Sequence, residues 1–211
     1  MTEMKGSAVW EKLRIEGKEI VTSKEVKELA EKIGKDGENT LYYLQEEDYL
    51  SRIFRGIFYV KSLEERKRSV EEYSIYELIA MGLDKKGIEN WYFGLETALK
   101  FNNMTHEYFN IDYALTDSYR TTKVIEIQDQ KFKFFKRKKE RFSQGVIADK
   151  NIKYSDPEKT ILDLKYRSYL KEDQSDYLKQ YEDKIETSKI KKYLKDYSKS
   201  FERKVLKELK K

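Results

Sequence analysis

Two arginines interrupt an apolar run early in the chain, and their chemistry suits binding to an anion. In the stretch LSRIFRGIFYV, residues 50–60, Arg52 and Arg55 stand among aromatic and β-branched residues that favour strands. The Arg-Gly pair indicates two short strands joined at a bend, where Gly56 adopts a positive φ without strain. Guanidinium groups beside such a bend are free to contact phosphate oxygens. The sequence therefore predicts a hairpin whose arginines bind the backbone of DNA.

The segment before this hairpin carries the second group of candidate binding residues. The stretch ENTLYYLQEEDYL predicts a helix that turns Leu41 and Leu44 inward. Side chains near its start are predicted to contact base edges or phosphates in the major groove, namely Asn39, Thr40, Tyr42 and Tyr43. The alternative is an ordinary solvated face, with Thr40 at the helix start. The acidic end of this helix favours the alternative, because Glu46, Glu47 and Asp48 would repel phosphate.

The elements around these residues follow the order of a winged helix-turn-helix. A short helix is predicted over residues 7–16, and a second helix is capped by Thr22 or Ser23 and ended by Gly34. A polar turn leads to the helix of Asn39, and the hairpin follows as the wing. The first part of the chain is therefore predicted to bind DNA.

A dense basic cluster, KFKFFKRKKERF, occupies residues 131–142. Alternation places Phe132 and Phe134 toward a core and the lysines outward. The cluster is either a solvated hairpin edge protected by lysines or a second binding patch for DNA phosphates or an acidic protein. Its candidate residues are Lys131, Lys133, Lys136, Arg137, Lys138 and Lys139.

The rest of the chain predicts an α+β domain and a helical tail. The segments SIYELIAMGL and WYFGLETALKF are predicted as helices, and a later helix begins at Pro157 after a cap at Ser155 or Asp156. Four strands are predicted, at TKVIEIQ, KFKFF, residues 145–148 and residues 151–154. The fold class is thus α+β, with a winged helix-turn-helix over residues 1–65, an α+β domain over 66–170 and charged amphipathic helices over 171–211, broken near Thr187.

Composition narrows the chemistry further. The chain has no cysteine and one histidine, His106, which is predicted to lie in a surface loop. No cofactor, metal site or catalytic residue is predicted, since no nucleotide-binding loop or nucleophile motif is found. The absence of cysteine and of a long apolar run favours a cytoplasmic protein without membrane contact. Residues 171–211 hold 13 basic and 9 acidic side chains, which is most of the net charge of +5.

Three segments together resemble the AbiEi antitoxin family of type IV toxin-antitoxin pairs. They are the wing RGIFYV, the segment YFGLETALKF and the late segment ERFSQGVIADKNIKYSDPEKTILDLKY, and the resemblance covers roughly residues 15–170. It implies a DNA-binding domain that represses its own operon and a second domain that counters a nucleotidyltransferase-like toxin.

The most specific piece of this resemblance is the helix start SDPEKTILDL. Its polar residues Asp156, Pro157, Glu158, Thr160 and Asp163 are read first as helix-capping and structural residues, and otherwise as a surface facing the toxin. The competing prediction for the whole chain is a protein-interaction module whose winged helix does not bind DNA. The oligomeric state stays open.

Overall fold

The chain folds into two compact units of mixed helix and strand. A computed structural model describes residues 4–68, 70–171 and 177–209. The first unit comprises Met1–Gly87 with Ile127–Asp129, and the second comprises Ile88–Glu126 with Gln130–Lys211.

The first unit combines helices with a small antiparallel sheet. Its helices are α1 (Met4–Ile15), α2 (Ser23–Lys32), α3 (Gly37–Glu46), α4 (Leu63–Arg68) and α5 (Ile75–Lys85). Its strands are β1 (Ile20–Thr22), β2 (Leu50–Phe54) and β3 (Ile57–Val60), in the order β1-β3-β2. Helix α4 lies in a stretch that the sequence pattern left without a predicted element, and β1 was also not predicted.

Local capping explains where the helices of this unit begin. The Thr22 hydroxyl accepts a hydrogen bond from the Glu25 backbone, and the Glu25 carboxylate accepts one from Thr22 N at 2.6 Å. This reciprocal box satisfies two backbone donors that a helix start otherwise leaves unpaired. The predicted helix from Thr22 is therefore confirmed. The apolar stripes of α1, α2 and α3 then share a core that includes Val9, Leu13, Val26, Leu29 and Leu44.

Helix α5 belongs to this unit, although the sequence assigned it to the second domain. Gly82 explains the close packing, because a Cβ placed there would lie 2.8 Å from the Phe54 ring and 3.0 Å from Ile53. Only a glycine lets the helix backbone approach the hairpin so closely. Apart from Ile127–Asp129, the two compact units divide between Gly87 and Ile88, whereas the sequence placed the domain boundary near residue 65.

The second unit is built on a six-stranded mixed sheet in the order β6-β7-β5-β4-β9-β8. Strands β4 and β5 pair antiparallel, as do β8 and β9, whereas β4 with β9 and β5 with β7 pair parallel. The strands are β4 (Trp91–Phe93), β5 (Asp112–Thr116), β6 (Ile125–Ile127), β7 (Gln130–Lys136), β8 (Val146–Asp149) and β9 (Ile152–Ser155). The helices are α6 (Glu96–Phe101), α7 (Pro157–Leu170), α8 (Tyr177–Gln180), α9 (Thr187–Tyr193) and α10 (Lys199–Glu208).

The prediction of one helix over WYFGLETALKF was wrong in its first part. Trp91–Phe93 forms β4, which pairs with β5 on one side and β9 on the other, and α6 begins only at Glu96. All three strand residues are buried, because both neighbouring strands and the adjoining layers cover them. Strand β5 was not predicted from the sequence. Its pairing with β4, which makes Trp91–Phe93 a strand, was therefore not anticipated either. Strands β7, β8 and β9 were predicted correctly.

The charged tail packs against the second unit's core. Leu178, Ile190, Leu194, Phe201 and Val205 are buried together with the apolar face of α7. The predicted break near Thr187 is the start of α9. Burial of this stripe stabilises the unit, since apolar area removed from water contributes roughly 25 cal/mol per Å².

Among the helices that the structure describes, none has the length and apolar character needed to cross a membrane.

Candidate nucleic-acid interface

Helix α3 presents part of the predicted set of binding residues. Asp36 caps the helix by accepting a hydrogen bond from Asn39 N at 2.7 Å. Asn39 and Tyr42 are exposed, Tyr42 by 66%, and Tyr43 is half-buried against the Tyr49 ring. Asn39 and Tyr42 therefore form the open face of the helix.

Thr40 does not belong to that face. Its side chain is only 6% exposed, because it falls on the same side of α3 as Leu41 and Leu44, which fill the core. The prediction of a binding role for Thr40 is therefore corrected: the residue is interior.

The hairpin of β2 and β3 has the predicted bend at Arg55 and Gly56. Gly56 has φ +72°, and the bend carbonyl accepts a hydrogen bond from Ser23 N at 3.0 Å. The bend is thereby held beside the first residue of α2. Arg52 and Arg55 are both exposed.

A bulge explains how the same strand buries an apolar pair between those two arginines. The register shifts between Arg52 and Phe54, so Ile53 and Phe54 are both buried, at 2% and 3% exposure. An extra residue in one strand breaks the strict alternation of sides that a regular strand imposes. The apolar run interrupted by Arg52 and Arg55 is therefore a hairpin with a β-bulge in its first strand.

The acidic end of α3 is tied to basic neighbours. Asp48 has φ +57° and follows the helix in a turn that Tyr49 N closes onto Leu44 O at 2.9 Å. Lys61 Nζ lies 2.6 Å from an Asp48 carboxylate oxygen, and Arg66 donates to Glu47 O at 3.1 Å. These contacts place positive charge at the negative end of the helix dipole.

The start of α3 carries a similar pair, since Lys27 on α2 binds the Glu38 carboxylate. Two of the acidic side chains on and after α3 are thus matched by a lysine. Because the carboxylate of each pair is exposed to water, each pair contributes at most about 1 kcal/mol to stability. Of the two, only the Lys27–Glu38 pair lies beside Asn39, at the start of α3.

A further ion pair joins α2 to α5. Lys85 Nζ lies 2.8 Å from the Glu25 carboxylate. Burial alone would raise the pKa of Glu25, but hydrogen bonds from Lys85 and Thr22 outweigh it and lower that pKa below its usual 4.5.

The basic cluster of β7 does not form a protected sheet edge. Strand β7 lies between β6 and β5, and β6 is the outer strand. Phe132 and Phe134 are fully buried, as the alternation predicted. Lys131, Lys136, Lys138 and Lys139 are exposed, whereas Lys133 and Arg137 are half-buried. The lysines therefore form a charged surface on one side and one end of an interior strand.

The acidic helix start of α7 is a structural feature. Asp156 caps the helix, accepting from Lys159 N at 2.8 Å and from the Tyr193 hydroxyl at 2.7 Å, and Pro157 is the first helical residue. Burial raises the pKa of Asp156. Glu158 is 3% exposed and accepts a hydrogen bond from Glu186 N at 2.9 Å. These contacts tie α7 to the tail and confirm the structural interpretation.

Thr160 and Asp163 are also interior, at 0% and 2% exposure. The Thr160 hydroxyl lies 2.7 Å from the Ser155 hydroxyl. Neither residue therefore belongs to a toxin-facing surface of the chain as it is folded here.

Asp163 lies at the centre of a buried polar cluster that the sequence pattern did not reveal. Tyr92 and Tyr197 donate hydrogen bonds to its two carboxylate oxygens at 2.7 and 2.8 Å. Arg141 Nη1 is 3.5 Å from the same carboxylate, and its guanidinium lies 3.2 Å from the centre of the Tyr197 ring. Burial, and then the Asp163 charge, raise the pKa of both tyrosines well above the usual value.

In the sequence, only the spacing of Lys159 and Asp163 on one helix could have indicated this cluster. Lys159 and Asp163 are separated by one turn of α7, and burial lowers the pKa of the Lys159 amine. Tyr92, Arg141 and Tyr197 come from distant segments, so their convergence has no sequence signature.

His106 is exposed in an irregular segment, as predicted. Within the described ranges, no group of three His, Cys, Asp or Glu side chains is placed to hold a metal ion.

Comparison with known proteins leaves the family open. No family model matches the chain, and no curated protein matches it.

Proposed function

We propose that the chain is a DNA-binding transcriptional regulator whose first unit is a winged helix-turn-helix. The observation that carries the proposal is the exposure of Arg52 and Arg55 on a hairpin whose bend is hydrogen-bonded to the start of α2. Helices α2 and α3 would be the helix-turn-helix pair, α3 the recognition helix, and the β2–β3 hairpin the wing.

In this mode of binding, the first turns of α3 enter the major groove. Asn39 and Tyr42 would then face the base edges, where an asparagine amide pairs with adenine through two hydrogen bonds. Arg52 and Arg55 would bind phosphates beside the groove. The acids Glu46, Glu47 and Asp48 lie at the far end of α3, where the pairing of Asp48 with Lys61 would limit the repulsion of phosphate by that one carboxylate.

The wider role that we propose is that of an antitoxin of the AbiEi type. The regulator would repress its own operon in the cytoplasm, and its second unit would counter a nucleotidyltransferase-like toxin. The support is the resemblance of RGIFYV, YFGLETALKF and SDPEKTILDL to that family. No catalytic step, cofactor or metal is part of the proposal.

The experiment is a titration of the full-length protein against its own promoter at several salt concentrations. Replacing Arg52 and Arg55 by alanine is expected to weaken binding and reduce the slope of log K against log salt. Each lost phosphate contact accounts for about 0.9 of that slope, so two contacts account for up to about 1.8.

A charge-preserving control separates phosphate binding from a general change in folding. Replacing both arginines by lysine keeps the two positive charges, and the slope should then stay near that of the wild type. An alanine variant that binds the promoter with unchanged affinity and slope would exclude the wing from the interface.

A second candidate function is a protein-interaction module that does not bind DNA. The acidic stretch Glu46–Asp48 favours it, since the recognition helix has no Lys or Arg of its own. This function would be supported if the wild-type protein does not discriminate its promoter from unrelated DNA. A neighbouring gene for a nucleotidyltransferase-like protein would favour the antitoxin.

A further inference from the structure

An open cleft of about 780 Å³ lies in the second unit, between the end of β7 and the C-terminal tail. Six of its lining residues are basic and three are acidic, and the remaining lining includes Tyr166, Leu170 and Tyr197. The basic residues are Lys136, Arg137, Lys138, Lys139, Arg141 and Lys195. A concave surface of this volume falls within the range of about 300–1,000 Å³ that is typical of small-ligand sites.

Two guanidinium groups of the cleft have a buried N–H without a hydrogen-bond partner among the described residues. They are Nε of Arg137 and Nη1 of Arg141. Arg141 is 4% exposed, so its side chain is almost entirely withdrawn from bulk water. A buried donor without an acceptor is energetically unfavourable, and a hydrogen bond to an anionic ligand would relieve that cost.

The surroundings of Arg141 fix its position but leave its Nη1 donor without a hydrogen bond to the described residues. Its guanidinium contacts the Tyr197 and Tyr166 rings, at 3.2 and 4.2 Å from their centres. Asp163 is close enough to Nη1 for charge attraction, at 3.5 Å, yet its two oxygens already accept hydrogen bonds from Tyr92 and Tyr197. Arg141 is therefore positioned before any ligand arrives.

Two of the acidic lining residues are engaged in hydrogen bonds. Asp196 accepts from the Ser143 hydroxyl at 3.1 Å and from Gln144 Nε2 at 3.3 Å. Asp117 accepts from Asn90 Nδ2 at 2.7 Å. The basic residues outnumber the acids two to one, so the cleft attracts anions.

We propose that this cleft binds a small phosphate-bearing ligand of the nucleoside polyphosphate class. The cluster of lysines and the two arginines would hold phosphate oxygens, and Leu170, which is 58% exposed, and Tyr166 offer an apolar wall for the organic part. The site goes beyond the proposed DNA interface, which lies in the first unit.

The burial of Arg141 distinguishes such a ligand from the backbone of a nucleic acid. Backbone phosphates of a duplex stay on its outer surface, where they meet protruding side chains. A terminal phosphate on a flexible chain enters a cleft and reaches a side chain that is withdrawn from the surface. The same terminal phosphate chemistry is present in a nucleoside triphosphate and in inorganic tripolyphosphate.

The test is calorimetric titration of the full-length protein with ATP, inorganic tripolyphosphate and adenosine. ATP is expected to bind saturably. Saturable ATP binding supports the proposal in either of two cases. If tripolyphosphate binds as tightly as ATP, the cleft recognises the phosphates alone. If tripolyphosphate binds more weakly, contact between the nucleoside and the apolar wall also contributes to affinity. The proposal is overturned if neither ATP nor tripolyphosphate binds at millimolar concentrations, or if adenosine binds as tightly as ATP.

Matched variants locate the site. Lys138→Ala with Lys139→Ala removes two exposed charges of the cleft and should weaken ATP binding by about tenfold. Lys191→Ala with Lys192→Ala removes two exposed charges of α9 that do not line the cleft, and binding should stay unchanged. Equal weakening in both variants would show non-specific attraction and reject the site.

A nucleic-acid competitor completes the design. A short single-stranded oligonucleotide that binds the cleft lysines while ATP does not would overturn the proposal in favour of a nucleic-acid groove. Because the first unit is unaltered in every variant, promoter binding can fail or succeed independently of this result.

Discussion

Tyr197 connects the C-terminal tail to α7 through one buried hydrogen bond, and removing that bond tests how strongly the tail stabilises the second unit. The Tyr197 hydroxyl donates to Asp163 Oδ1 at 2.8 Å, and both residues are buried. Tyr197→Phe deletes the hydroxyl and keeps the ring that packs against Arg141 and Phe201. The variant therefore isolates the hydrogen bond from the packing.

The expected decrease in the free energy of unfolding depends on the partners that Asp163 keeps in the variant. A hydrogen bond to a charged group contributes about 1.5–3 kcal/mol. Asp163 keeps its bond from Tyr92, and Arg141 Nη1 at 3.5 Å is near enough to move toward the oxygen that is released. We therefore expect the lower end, about 1.5 kcal/mol, which corresponds to a decrease in Tm of about 3–6 °C for a chain of this size.

The assay is urea unfolding followed by tryptophan fluorescence. The chain has two tryptophans, Trp10 in the first unit and Trp91 in the second. With Trp10→Phe as the background, Trp91 is the only tryptophan and reports on the second unit. The midpoint shift at constant m gives the change in the free energy of unfolding.

Tyr166→Phe is the matched control. Tyr166 is a neighbouring ring 5.5 Å from Tyr197, and it contributes to the same aromatic cluster. Among the hydrogen bonds of the described residues, none joins the Tyr166 hydroxyl to Asp163, so a change below about 0.5 kcal/mol is expected. A loss from Tyr197→Phe as small as that of the control would refute the role of the hydrogen bond in holding the tail.

Two further predictions concern the first unit. Gly82→Ala should destabilise it by about 1–3 kcal/mol, although alanine favours helices, because the added Cβ would lie 2.8 Å from the Phe54 ring. Urea unfolding should show partial recovery when Phe54→Leu is added, and a stabilised Gly82→Ala variant would contradict the packing. Since the pKa of Glu25 is lowered in the folded state, its ion pair with Lys85 stabilises the unit above pH 4.5 and loses that contribution as the pH falls further. Glu25→Gln should therefore make the free energy of unfolding fall less on acidification, by up to about 1 kcal/mol. Trp10 fluorescence in a Trp91→Phe background measures this, and a pH profile identical to that of the wild type would contradict the prediction.

Sequence patterns predicted the elements whose determinants are local. The helix starts at Thr22 and Asp156 depend on side chains within four residues of the cap, and the bend at Gly56 depends on its own φ. Alternation along β7 correctly separated Phe132 from its neighbouring lysines. Each of these features reflects interactions along a short stretch of chain, so the residue types themselves carry the information.

The tertiary structure decided every feature that depends on distant partners. Trp91–Phe93 is a strand because β5 and β9 pair with it, and Thr40 is interior because the core of the first unit covers its side of α3. Arg141 and Asp163 acquire their burial from α7, the tail and the sheet together. Pairing and burial arise from contacts between segments far apart in sequence, and residue spacing along one segment does not encode them.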